Sequence, residues 1–300
     1  MTKKILITGG NGFIGRSLYE FLSDQYFFPL GKNIYCLGRQ ELDLLDSQKV
    51  YDFIREHKFD VVIHAATYDA VPEFTTKDTT KVLEYNLKMF FNIARCKEYF
   101  GKMIYFGSGS EAGRENFIPT MTEEYIERNV PEDQYAFSKH VSNEYAQLSD
   151  NIYNLRIFGL FGKYDDWRYR FISNACCKAV LNKPVIINQD VMFDYVYIND
   201  FAEIVRWFIE NSPERKSFNI CSGHRCSYYS LAKKIVSASS KDLEIITKKE
   251  GLRKEYSGNN MLLKNTIKDF KFTSTKDAIK ELYNWYDDHR DLIDEDLLLY

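Results

Sequence analysis

The chain has 300 residues, enough for one large core or for a nucleotide domain with a smaller companion lobe. Charged residues make up 28% and the formal net charge is -3, which excludes a basic nucleic-acid surface. The sequence holds no apolar run of the roughly 18 residues that span a bilayer, and its start lacks a signal-peptide layout, so a cytoplasmic protein with neither membrane nor nucleic-acid partner is expected.

Ile5–Ile7 reads as a buried strand and leads into Thr8-Gly9-Gly10-Asn11-Gly12-Phe13-Ile14-Gly15. Gly9, Gly12 and Gly15 have dinucleotide-binding spacing: a tight turn, a bare backbone against pyrophosphate, and close helix-to-sheet packing. A helix expected over Arg16–Leu22 would aim free N–H groups and its positive end at phosphate. Further strands are expected at Ile34–Leu37, Val61–His64, Lys102–Phe106 and Tyr153–Phe158, with helices at Ser47–His57, Val82–Glu98 and Tyr135–Leu148. Asp46-Ser47 ahead of Val50, Phe53 and Ile54 supplies the cap and apolar stripe of the second helix. This alternation predicts an α/β fold, a Rossmann-like doubly wound parallel sheet.

After about residue 159 the rhythm changes. Helices are expected over Arg168–Leu181, Asp200–Glu210, Tyr229–Val236 and Lys276–Asp287, and short strands at Val185–Ile187 and Phe218–Ile220. Residues 1–160 are therefore read as a dinucleotide-binding domain that carries the catalytic helix. Residues 161–300 are read mainly as a mixed α/β substrate lobe, with elements from about 185 to 210 returning to the main domain. The six cysteines contain no CxxC pair; although His224 lies between Cys221 and Cys226, buried free thiols are expected and no metal site.

Tyr135 and Lys139 are four residues apart, which on a helix puts both on one face. A phenol titrates near pH 10, too high for neutral acid–base work, and a nearby ammonium favours its ionised form. Lys139 could also hold a cofactor ribose; a solvated Tyr/Lys pair is the bland reading. Ser108, the first polar side chain beyond an apolar strand, could orient a carbonyl or be one residue of a Gly/Ser turn. Together Ser108, Tyr135 and Lys139 make a hydride-transfer constellation, and the glycine loop implies the carrier.

With these residues in order, the chain resembles the extended short-chain dehydrogenase/reductase family, the NAD(P)-dependent epimerases, dehydratases and reductases of nucleotide-sugars. The resemblance rests on TGGNGFIG at 8–15, Asp43-Leu44, His64-Ala65-Ala66, Asn86, Ser108, YxxxK at 135–139, LRIFGLFG at 155–162 and FDYVYINDFAEI at 193–204. It implies cofactor contacts from Gly9, Asn11, Gly12, Phe13, Ile14, Gly15, Arg39, Asp43, Leu44, His64, Ala65, Ala66, Tyr135 and Lys139, with Asp43 near the adenine. Gly38-Arg39 stands where an acidic residue would grip an NAD ribose, and Arg39 can fork a 2′-phosphate, so NADP(H) is favoured with NAD(H) possible. An unpartnered surface arginine is the competing reading.

Residues 38–54 are similar to the GDP-fucose synthase branch, which reduces and epimerises a 4-keto-6-deoxy sugar. The epimerising Cys and His of that branch align with Ser110 and Arg170, a poor base and a permanent cation, so double epimerisation is not expected. The implied activity is NADP-dependent reduction of the C4 ketone of a nucleotide-linked 4-keto-6-deoxy sugar. The alternatives are a 4-epimerase or 4,6-dehydratase that recycles bound NAD(P), or a non-catalytic NADP-binding sensor or scaffold. Ser110-Glu111 is similar to the Ser-Glu pair of some dehydratases, although Glu111 also suits a salt bridge. Gly159 replaces the usual Asn and Phe193 the usual Arg. Arg168, Arg170 and Arg253 are candidates for the substrate pyrophosphate, and Tyr68 joins Ser110 and Glu111 as a candidate substrate contact. Tyr68, Trp167 and Tyr169 could stack on base or sugar, or pack in the core. The resemblance also implies a homodimer through the helices near 82–98 and 135–148.

Overall fold

Ile5–Thr8 (β1) has parallel neighbours on both sides and is buried along its whole length, which is why it is apolar without alternation. The computed structural model describes residues 3–25, 33–69 and 76–299. Helix α1 (Phe13–Gln25) opens inside the glycine motif rather than at Arg16. There follow β2 (Ile34–Leu37), α2 (Ser47–His57), β3 (Val61–His64), α3 (Val82–Ala94), β4 (Lys102–Ser108), α4 (Glu123–Glu127), α5 (Gln134–Gln147) and β5 (Ile152–Ile157). Local chemistry sets the helix ends. The Asp46 carboxylate accepts from Lys49 N at 3.1 Å to start α2, and Asp133 accepts from Ala136 N at 2.9 Å to start α5.

The second half contains β6 (Leu160–Phe161), α6 (Phe171–Val180), β7 (Val185–Asp190), β8 (Met192–Asp194), β9 (Val196–Tyr197), α7 (Ile198–Glu210), β10 (Ser217–Ile220), β11 (Arg225–Ser227), α8 (Tyr228–Ser239), β12 (Ile245–Leu252), α9 (Met261–Thr266) and α10 (Thr275–Asp288). Among the described residues a six-stranded parallel sheet runs in the order β2-β1-β3-β4-β5-β10. The fold is α/β with a Rossmann-like sheet. Strand order reverses between β1 and β3, and the crevice beyond their carboxyl ends is where such sheets take ligands.

The division near residue 160 needs adjustment. β10 lies outside the stretch expected to return, yet it joins β5 in register from Ser217↔Asn154 to Ile220↔Ile157. Within 185–210, α7 packs on α1, whereas β7 pairs with β12 in a two-stranded ribbon of the second lobe. One apolar cluster runs from Ile5 and Leu18 through Leu155 and Phe218 to Val205, Ile279 and Tyr286, so the two halves share a core. Leu6, Val62, Met103 and Tyr105 face the opposite side with Phe90 and Ile54, as strand alternation requires. Among the described residues, no helix is long and apolar enough to cross a membrane, and no group of three or more His, Cys, Asp or Glu could hold a metal ion. All six cysteines are free thiols.

Candidate active site

The crevice between β1 and β3 is shaped by glycine. At Gly9, with φ +70°, a Cβ would lie 2.8 Å from the Ala66 backbone, and at Gly15 it would lie 2.3 Å from Gly9 O. Gly12 differs: a Cβ there would meet only Gly9 O, at 3.3 Å, so its other side is open. Phe13 and Ile14 form the first turn of α1 directly behind this loop. A bare backbone with a helix N-terminus behind it fits the pyrophosphate of a dinucleotide.

The crevice wall is tied together through Thr8. Its hydroxyl accepts from Ala66 N at 3.3 Å and lies 2.9 Å from His64 Nδ1. Burial, and then the Lys139 charge, pull the His64 pKa down to about 3. The neutral His64 ring stacks on Tyr105 at 5.7 Å. His64 is thus buried behind the wall, which Ala65 and Ala66 present half-buried. Asn86 holds the next segment, donating to Tyr68 O at 3.0 Å and accepting from Tyr68 N at 2.8 Å.

At the end of β2, Arg39 is 71% exposed with its Nε 3.4 Å from the Asp43 carboxylate. The Asn11 amide lies against Gly38, where a Cβ would come within 2.3 Å of Nδ2. The Leu44 side chain is buried in the core, and its carbonyl accepts from Asn92 Nδ2 at 2.8 Å. Glu41, which the sequence reading passed over, accepts from Gly38 N at 2.9 Å. Its place near the end of the second strand was the available signal.

Ser108 closes β4, and the first two turns of α5 carry Tyr135 and Lys139 to it. Ser108 Oγ accepts from Ser110 N at 3.2 Å and from Ser110 Oγ at 2.8 Å, and the Tyr135 phenol lies close enough to feel it. Lys139 is buried; its ammonium donates to Phe106 O at 2.8 Å and lies 5.6 Å from the Tyr135 ring centre. Burial lowers its pKa to about 8, while Glu111 and Asp69 act to raise it. Burial pushes the Tyr135 phenol up, Asp69 and Glu111 add to this, and Arg170 and the nearby Ser108 hydroxyl oppose it. The Tyr135 phenol is therefore a proton donor at neutral pH.

Glu111 lies underneath this group instead of facing a substrate. It is fully buried, its Oε2 is 2.5 Å from Arg156 Nε, and its Oε1 accepts from Ser108 N at 3.1 Å. Asn154 Nδ2 donates to Oε1 at 3.2 Å. The carboxylate is wholly engaged by the protein, as a buried charge must be. It also fixes the backbone from which the Ser108 hydroxyl projects.

Opposite α5, Arg170 lies 3.4 Å from the Asp69 carboxylate and its charge acts on Tyr135. Asp69 escaped the sequence reading, which considered only its neighbour Tyr68. Arg168 grips Asp166 through Nε at 2.7 Å and Nη2 at 2.5 Å. Arg253 is exposed and acts on the buried Tyr228 phenol. Tyr68 meets Tyr85 edge-on at 5.0 Å, and Trp167 packs on the main core. The two departures at 159 and 193 are one feature: a Cβ at Gly159 would lie 2.6 Å from the Phe193 ring, which stacks on Tyr195 at 4.5 Å.

One further group lies at the site. The Tyr256 phenol, brought in by the chain between β12 and α9, lies beside Ser108 and interacts with it electrostatically. No local motif marks it; the only cue was Gly109 between two serines, where a Cβ would come within 2.7 Å of the Tyr256 oxygen.

The family model described as "NAD dependent epimerase/dehydratase family" matches residues 5–221. The GDP-6-deoxy-D-talose 4-dehydrogenase of Aggregatibacter actinomycetemcomitans is 24% identical over 93% of this chain and 97% of its own. An ADP-L-glycero-D-manno-heptose-6-epimerase of Nitratidesulfovibrio vulgaris is 21% identical over 94% of this chain and 97% of its own. The NADP-bound crystal structure of a GDP-L-fucose synthetase from Naegleria fowleri superposes with a TM-score of 0.85 at 18% identity, covering 97% of this chain and 95% of that one.

Proposed function

Since this chain belongs to the NAD dependent epimerase/dehydratase family, we propose that it is an NADP-dependent reductase of the C4 ketone of a nucleotide-linked 4-keto-6-deoxy sugar. The observation that carries this reading is the pair of contrasting environments at the end of β4. Ser108, Tyr135 and Lys139 come together past the end of β4, while Glu111, the acidic side chain similar to the dehydratase pair, is locked onto Arg156 below them.

The bound dinucleotide supplies the hydride. Ser108 orients the carbonyl, Tyr135 gives its proton to the developing alkoxide, and Lys139 offsets the charge left on the phenol. Arg170, half exposed beside Asp69, faces the diphosphate; Arg253 is its companion on the second lobe. Arg39 at the exposed end of β2 supports the 2′-phosphate of NADP, and two subunits pairing through α3 and α5 form the working dimer.

A 4-epimerase with recycled NAD is the second reading, and Glu41 favours it, because a carboxylate near that strand end suits a ribose diol. The deciding experiment incubates the protein with GDP-, CDP-, dTDP- and UDP-linked 4-keto-6-deoxy sugars and their parent hexoses, offering NADPH and NADH separately. A product that gains two hydrogens with NADPH consumed in step, abolished by Tyr135→Phe, is the expected result. Isomerisation without added reductant, or loss of water from a parent hexose, overturns the reductase.

A further inference from the structure

Two phenols stand beside the Ser108 hydroxyl, which is already filled as an acceptor. Its oxygen offers two lone pairs, and Ser110 N at 3.2 Å and Ser110 Oγ at 2.8 Å already donate to it. Ser108 therefore accepts from neither phenol and keeps its own proton for the carbonyl, and the protons of both Tyr135 and Tyr256 remain for acceptors in the cleft. Tyr256 is half-buried. Its ring is held among Phe117 at 4.7 Å, Phe193 at 5.0 Å and Phe158 at 5.1 Å. Its backbone is pinned to β8, donating to Met192 O at 3.0 Å and accepting from Asp194 N at 3.3 Å. Gly109 leaves the space its oxygen occupies. The phenol is thus pre-positioned by packing on one side and by an absent side chain on the other.

We propose that Tyr256 is a substrate-contacting, specificity-determining residue that donates to an oxygen on the carbon next to the one reduced. The substrate class is then an α-hydroxy ketone: Tyr135 serves the reacting oxygen and Tyr256 the vicinal hydroxyl, with Ser108 between them. This rests on the reductase reading above and deepens it. Burial holds the Tyr256 phenol protonated, in keeping with a donor role.

The test compares wild type, Tyr256→Phe and Gly109→Ala on GDP-4-keto-6-deoxymannose and on its 3-deoxy counterpart, which lacks the vicinal hydroxyl. Both NADPH oxidation and equilibrium binding of each sugar without NADPH are measured. Wild type should favour the hydroxylated sugar, and Tyr256→Phe should lower kcat/KM for it by about 10- to 100-fold while changing the 3-deoxy sugar little. Gly109→Ala, whose new methyl would meet the phenol oxygen and the Phe158 ring alike, should weaken the preference in the same direction. Equal loss on both sugars, as a merely structural role would give, overturns the proposal, as does no loss on either. If both sugars bind but neither is reduced, the reductase reading fails alone. In that case a binding preference for the hydroxylated sugar that Tyr256→Phe abolishes supports the assignment, and the same preference in both proteins overturns it. Binding of neither sugar to the wild type overturns both.

Discussion

Lys139 sets the pH behaviour of the site. With the ammonium buried against Phe106 O, its pKa is lowered to about 8, so it loses its charge as the pH rises through that value. A reaction that leaves negative charge on Tyr135 needs that cation beside it. Turnover by the wild type should therefore show an alkaline limb near pH 8. Asp69 is one of the charges that raise Lys139, so Asp69→Asn should move the limb to lower pH. An unmoved limb in the pH–kcat profile of that variant contradicts the coupling. Ser108, Tyr135 and Lys139 were legible because their relations are local: one residue ends a strand and two share a helix face. Asp69 and Tyr256 were not, since a lone carboxylate or one of 22 tyrosines carries no spacing signal. Glu111 misled for the same reason. Its partner Arg156 is 45 positions away in sequence, in β5, so the ion pair exists only once the sheet is assembled.

The hinge of the sheet, where β1 meets β3, has a pH dependence of its own. His64 stays neutral in the folded protein down to about pH 3, whereas an unfolded imidazole takes up its proton near 6.5. The unfolded chain therefore binds more protons across that window, and acid favours unfolding. Stability should fall by about 1.4 kcal/mol per pH unit between those limits through this residue alone. His64→Gln should flatten the slope, read from urea midpoints against pH; identical slopes in the two proteins would refute the buried neutral ring. Most elements of the main sheet were visible as apolar runs between capping signals, because their strands are buried on both faces. β12 was missed because it pairs on one edge only and carries Thr247, Lys248, Lys249 and Glu250, mostly exposed, so neither an apolar run nor an alternation marks it. α1 was placed late since Phe13 and Ile14 belong both to the glycine motif and to the helix.

At the scale of the whole chain, the shared core and the late strand β10 make the nucleotide half dependent on the second half. Residues 1–160 alone would expose the edge of β5 that pairs with β10 and the face of α1 that packs on α7. Such a fragment should show no cooperative urea transition and no slow amide exchange in β4 and β5, whereas the full chain should unfold in one transition. A fragment that melts cooperatively would mean that the two lobes are independent domains. The junction of Gly159 with Phe193 has a different consequence, one for the history of the chain. A Cβ at 159 would meet the Tyr195 ring at 2.9 Å and Asp194 O at 3.0 Å as well as the Phe193 ring, so slimming the ring at 193 alone does not make room for an asparagine. Position 159 can be enlarged only together with the strand that faces it, and remodelling of this cleft wall has to proceed by several coordinated replacements.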